Sequence, residues 1–160
     1  MKKFNIILLF LWMVVIFNFS NDSGNASSNK SDGIASTIVS FISKVSNHNY
    51  SDSELEQIID NCIFIVRKSA HFLEYFILGI LILNVFKDYK ILTIKYIFIS
   101  LLFCFLYACT DEIHQLFIPG RSGRPIDVLI DTFGSLVGII IYYIIYQKFN
   151  KSNKNLKIES

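Results

Sequence analysis

Proline occurs only twice in this chain of 160 residues, at Pro119 and Pro125, and both fall in one short connection. The rest is free of the residue that removes a helical hydrogen bond and collides with the preceding turn. Cysteine is scarce too. Cys62, Cys104 and Cys109 form an odd set without C-x-x-C spacing, which argues against a disulfide framework and a cysteine-bound metal. Cys104 and Cys109 sit inside an apolar block and are expected as buried free thiols. Charged residues make up 18% of the chain and sum to +2, too little to attract nucleic acid. No phosphate-cradling glycine loop, internal repeat, nucleophile motif or phosphatase signature is present. What remains is apolar. Hydrophobic residues are 52% of the chain, and they come in long blocks with few polar positions between them, the pattern of a membrane protein.

Four blocks, at about residues 4–19, 69–86, 91–109 and 126–146, approach the roughly 20 residues needed to cross the hydrocarbon layer as a helix. The first, "FNIILLFLWMVVIFNF", is slightly short and can span if Lys2 and Lys3 snorkel. It also has the layout of a signal peptide, with cleavage conceivable after Ala26. Gly24 suits the upstream cleavage position poorly, so a retained span is expected. Residues 20–60 form a polar loop in which Ile34, Ile38, Phe41, Ile42 and Val45 recur at helical spacing, as in a helix lying on a leaflet. "SDSE" at Ser51–Glu54 reads as a capping box, and the helix it starts is expected to run unbroken into the second span. Pro119 and Gly120 mark a reversal, and Pro125 suits the first turn of a helix, where its missing N–H costs nothing. The predicted fold is all-α: one domain over residues 1–160, a polytopic bundle of four transmembrane helices with an amphipathic helix in the first loop and a tail at 147–160.

Basic residues orient such a chain. With the N-terminus cytoplasmic and four spans, the inner side holds nine lysines and only Asp88 and Glu159 as acids. The outer side holds six basic residues against eleven acids. The bias predicts a multi-pass protein with both termini inside, the 20–60 loop outside, and the connection containing the prolines outside.

The polar residues are patterned. At about 100° per residue, Arg67, His71 and Glu74 share a face of the second span with Leu78. Cys104, Ala108, Asp111 and Gln115 form a stripe on the third helix, flanked by Glu112 and His114. Asp127, Asp131, Gly134 and Gly138 align on the fourth. Charges turned towards hydrocarbon cost about 2.5–3.5 kcal/mol each on insertion scales. The polar ends should therefore face one another, drawn close by the small residues. Arg67, Lys68, Arg121 and Arg124 nearly balance Glu74, Asp111, Glu112, Asp127 and Asp131, so mutual pairing is expected in a pocket roofed by "PGRSGRP".

Plain readings stand beside the functional ones. Asp127 can simply complement a helix dipole. Arg121 and Arg124 are interface anchors, or bidentate partners for phosphate or carboxylate. His71 and His114 can be ordinary hydrogen-bonding residues, and His48 a surface one. His71, Glu74, Asp111 and His114, with Glu112 nearby, are the residues from which a metal site would be drawn. Their spacing matches no strong zinc pattern, so no metal and no cofactor are expected. Trp12, Tyr142, Tyr143 and Tyr146 read as lipid-facing or interfacial aromatics.

At these residues the sequence resembles the VanZ-like family of small bacterial membrane proteins. The resemblance rests on Lys68, His71 and Tyr75 in "RKSAHFLEYFILG", Glu112 and Gln115 in "TDEIHQLF", and Arg121 in "IPGRSG". Asp127, Asp131, Gly134 and Gly138 complete it, although many relatives carry asparagine where this chain has Asp131. It covers about residues 65–146, with a weaker match in the first span. The resemblance implies four spans, an outward polar cluster and a link to glycopeptide susceptibility, teicoplanin in particular. It supplies no reaction. The reading drawn from residues and resemblance together is an envelope protein whose outward pocket binds an anionic lipid or lipid-linked cell-wall precursor. Arg121, Arg124 and Lys68 would contact phosphate, with Glu112, Gln115, Asp127 and His71 orienting them. Two alternatives are an enzyme modifying such a lipid, with His71 or His114 as general base, and a structural or partner-binding membrane protein without its own ligand.

Overall fold

The computed structural model describes residues 2–46, 51–88 and 94–156; His48 and the start of the expected third span lie outside them. Five helices follow in order: α1 (Lys2–Ser20), α2 (Gly24–Ser46), α3 (Asp52–Asp88), α4 (Ile94–Gln115) and α5 (Pro125–Leu156), with no strand among the described residues. Four of them, α1, α3, α4 and α5, are long and apolar enough to cross a bilayer. Their outer surfaces carry exposed side chains such as Phe98, Leu102, Phe105, Leu129 and Phe133, a surface suited to acyl chains and not to water. The all-α, four-span architecture is thus the observed one.

Helix α3 begins with the predicted box. Ser51 N–H donates to Glu54 Oε2 at 2.9 Å, and Glu54 N–H donates to Ser51 Oγ at 3.4 Å. It then runs without a break for 37 residues. At 1.5 Å per residue that is roughly 56 Å, well beyond the hydrocarbon thickness. Its first turns therefore extend past the spanning part, and α2 packs along them. Ser23 Oγ caps α2 by accepting from Ala26 N–H at 3.2 Å. The buried face of α2 is small: Gly24, Ser31, Ala35 and Val39. Its apolar stripe, Ile34, Ile38, Phe41, Ile42 and Val45, faces away from the bundle and is 41–71% exposed.

Helix α4 runs six residues past its apolar block to Gln115, so Asp111 and Gln115 lie on it as the helical spacing predicts. Helix α5 continues ten residues past 146 into the tail. Hydrophobicity marks where a helix contacts lipid, and the backbone hydrogen-bond ladder does not stop there.

The bundle closes along α3 and α5. A methyl group added at Gly79 would collide with the Ser135 carbonyl, and at Gly134 and Gly138 with those of Phe72 and Phe76. Glycine at these positions lets the two backbones touch. Ser135 Oγ adds hydrogen bonds to the carbonyls of Tyr75 at 3.1 Å and Asp131 at 3.2 Å. Ile16, Tyr75, Leu78, Ile82, Cys104 and Ala108 fill the core. The cysteines are free, with Cys104 buried and Cys62 and Cys109 partly so.

Helix α1 packs into this core through Ile16, and its tryptophan corrects one expectation. Trp12 packs against the cluster and donates Nε1–H to the Glu74 carbonyl at 2.9 Å, so it faces the bundle interior. Tyr107 O–H likewise reaches the Met13 carbonyl at 2.7 Å. Tyr142 also turns inward, to Asn84 Oδ1, while Tyr146 lies beneath Lys87 Nζ at 6.0 Å. An indole or phenol with one polar atom gains more from a carbonyl between helices than from lipid.

Candidate functional site

One end of the bundle carries nearly all the polar chemistry. The connection between α4 and α5 folds over it, with Gly120 at a φ of +73°, a conformation that side chains resist. Arg121 N–H closes the turn onto the Ile118 carbonyl at 3.1 Å, and Gly24 N–H docks α2 onto the Pro119 carbonyl at 3.0 Å. Gly24 is demanded by this meeting, because a Cβ there would overlap the Gly120 carbonyl.

The Arg121 guanidinium reaches across to the end of α1. It donates to the carbonyls of Asp22 at 3.0 Å and Phe19 at 3.0 Å, and to Gln115 Oε1 at 3.4 Å. Burial, and then the neighbouring Arg67 charge, lowers its pKa from the usual guanidinium range. Gln115 Nε2–H in turn donates to Ser20 Oγ at 3.3 Å, with Asp111 Oδ2 at 3.5 Å. Gln115 therefore ties α1, α4 and the loop together.

Beside this knot lies a polar cavity of about 230 Å³. Four cations line it, Arg67, Lys68, Arg121 and Arg124, with His71, Gln115, Ser122 and a single acid, Asp127. Asp127 forms an ion pair with Lys68. Arg124 is exposed; its Nε–H donates to Ser122 Oγ at 3.2 Å, and its backbone N–H donates to Glu112 Oε2 at 2.9 Å. On its other side Arg124 borders an apolar groove of about 470 Å³ between α4 and α5, lined by Phe105, Ile113, Leu116, Val128 and Leu129 among others.

The remaining acids lie deeper. Glu74, Asp111 and Asp131 make no ion pair with lysine or arginine among the described residues, and Glu74 approaches only His71, at 3.6 Å. The expected mutual pairing of four cations with five acids therefore reduces to Lys68 with Asp127, plus the Arg124 amide on Glu112. Cations collect in the cavity, and Asp111 and Asp131 lie outside its lining. Asp131 has both side-chain oxygens buried without a hydrogen-bond partner.

Of the residues singled out from the sequence, Lys68, His71, Gln115, Arg121, Arg124 and Asp127 line the polar cavity. Tyr75 does not; it is fully buried in the core, its ring 6.2 Å from that of Tyr107. Glu112 borders the apolar groove, and Asp131 groups with His71 and Asp111. His114 is not part of that group, and its ring stacks on Phe17 at 4.7 Å. Arg67, expected from the charge inventory as a pairing cation of the pocket, lines the cavity without an ion pair among the described residues. Ser20 and Asp22, which hold the rim, carry no signal in the sequence.

The VanZ/LLP1 family profile matches residues 4–146, a range that takes in the first span as well as the polar cluster. No curated protein and no solved structure matches the chain. With nearly the whole sequence covered, and the four spans and polar end in place, this chain belongs to the VanZ-like family of membrane proteins.

Proposed function

We propose that this protein binds the phosphate-bearing headgroup of a lipid, either an anionic phospholipid or a lipid-linked cell-wall precursor, at the outward end of its bundle. One observation carries this reading: a cavity lined by four cations and one acid opens beside an apolar groove, and Arg124 borders both. A phosphate in the cavity would leave its acyl chain free to lie between α4 and α5. At about 230 Å³ the cavity is below the roughly 300–1,000 Å³ of small-molecule pockets, so it suits one phosphate-bearing fragment of a headgroup. Arg67 and Arg121 crowd like charges at its edge, and an anion relieves that repulsion. Arg121 already spends donors on α1, so Arg67, Lys68 and Arg124 are the contacting cations and Arg121 the residue that holds the rim.

Lysine asymmetry supports an outward site, with the apolar stripe of α2 resting on the same leaflet. Altered access to a lipid-linked precursor would then connect the site to glycopeptide susceptibility. The test uses purified protein in nanodiscs and native mass spectrometry with phosphatidylglycerol, undecaprenyl diphosphate and phosphatidylcholine as probes. Arg67→Gln and Arg124→Gln should each weaken retention of the two anionic lipids about tenfold, the value of one charge-assisted contact, and leave phosphatidylcholine unaffected. Unchanged retention of both anionic lipids by both variants refutes the assignment. The preferred probe of the two identifies the source of the phosphate.

A further inference from the structure

We infer that the buried group His71, Asp111 and Asp131 is a binding site for one divalent cation, placed between α3, α4 and α5 beside the cationic cavity. One donor atom from each residue lies within 4.8 Å of the other two. A four-coordinate ion with bonds of roughly 2.0–2.2 Å needs its donors about 3.4 Å apart, so each must shift by less than about 1 Å to close on it. Side-chain rotation supplies that.

Burial gives an independent argument. Asp131 is 1% exposed, and neither of its carboxylate oxygens has a hydrogen-bond partner. Asp111 is 5% exposed, and the polar groups beside it are neutral: Gln115 Nε2–H at 3.5 Å and the hydroxyls of Ser20 and Tyr75. Among the described residues neither forms an ion pair with a lysine or arginine. Two unpaired carboxylates in a dry helical interface carry a large desolvation cost, and a divalent ion offsets it for both at once. The nearby cations do not do so. Lys68 is held by Asp127, and Arg121 is aimed at the carbonyls of Phe19 and Asp22.

The donor set fixes the ligand class. One imidazole with two carboxylates suits a borderline cation such as Zn²⁺ or Mn²⁺ better than Ca²⁺, which takes oxygen alone. Glu74 lies 3.6 Å from His71 Nδ1, with its Oε2 buried and unpartnered, and is placed to orient the imidazole or join as a fourth donor. His71 also lines the polar cavity, so an ion here would sit next to the proposed phosphate position.

The experiment measures metal alone, so its failure and that of the lipid reading are separable. The full chain is purified in detergent, stripped with chelator, dialysed against Zn²⁺ or Mn²⁺, and assayed by plasma mass spectrometry and titration calorimetry. The expected result is about one ion per chain, with affinity at least about tenfold lower in Asp131→Asn and His71→Gln. The exposed-site control Asp60→Asn and the cavity variant Arg124→Gln should keep full stoichiometry. Co²⁺ substitution in the unaltered chain provides a readout independent of any variant's folding, and should give visible d–d absorption of a nitrogen-and-oxygen site. Absence of stoichiometric metal and of the cobalt bands in the unaltered chain overturns the inference. So does metal retained equally by a folded Asp131→Asn.

Discussion

Alanine at Gly138 is the sharpest perturbation of the seam on which the site depends. Its methyl group would overlap the carbonyl oxygen of Phe76, an atom of the α3 backbone that no rotamer change can remove. Helices α3 and α5 must part by on the order of 1 Å, and overpacking of this kind costs about 1–3 kcal/mol. Alanine recovers up to about 1 kcal/mol through its better helix propensity. With both effects at the middle of their ranges the net loss is about 1.5 kcal/mol, which lowers Tm by about 3–6 °C in a chain of this size. Gly33→Ala is the internal control. Gly33 is also within a helix, but nothing lies within 4 Å of an added Cβ, so only the propensity gain applies and Tm should hold or rise. Trp12, the one tryptophan, is packed against the core and hydrogen-bonded to α3, so its fluorescence reports unfolding of both variants in the same detergent. Should Gly138→Ala melt at or above the unaltered protein, or move in step with Gly33→Ala, close backbone contact is not what joins α3 to α5.

Three other outcomes follow from the same geometry. Lys68→Gln and Asp127→Asn each strand a charge whose partner is only 22% or 11% exposed; each should cost about 2–4 kcal/mol, and the double variant clearly less than the sum, whereas strict additivity in thermal melts would show the pair contributes nothing. Arg121→Gln removes donors from the end of α1, so hydrogen exchange at the amides of Asn21 and Asp22 should accelerate at least about tenfold while the centre of α3 is unaffected; equal exchange would leave Arg121 without a rim-holding role. A cysteine placed at exposed Ser122, with Cys62 and Cys109 changed to serine, should react with an impermeant maleimide on intact cells, and reaction only after permeabilisation would invert the proposed sidedness.

Much of the fold is legible in the sequence. The capping box at Ser51 appears as drawn, because its two hydrogen bonds join residues three apart and need nothing else. The stripe of Asp127, Asp131, Gly134 and Gly138 appears on one face for the same local reason: helical periodicity is set by the backbone. The proposed metal ligands were less legible. His71 and Asp111 are candidates with Glu74 and His114, but the residue that groups with them is Asp131, on a different helix. His114 is one turn from Asp111 in sequence and still turns to Phe17.

Span number, helical class and the clustering of charge at one end were determined by the sequence alone, since bilayer thickness sets block length and hydrocarbon rejects ions. Which ion meets which was decided only by the tertiary structure. Pairing depends on how far each helix slides along its neighbour, and that register is set where Gly79, Gly134 and Gly138 let one backbone rest on another. A single residue of slip would carry Lys68 from Asp127 and His71 from Asp131. The separation of a cationic cavity from the carboxylates outside its lining is therefore a property of packing, which no count of charges along the chain contains.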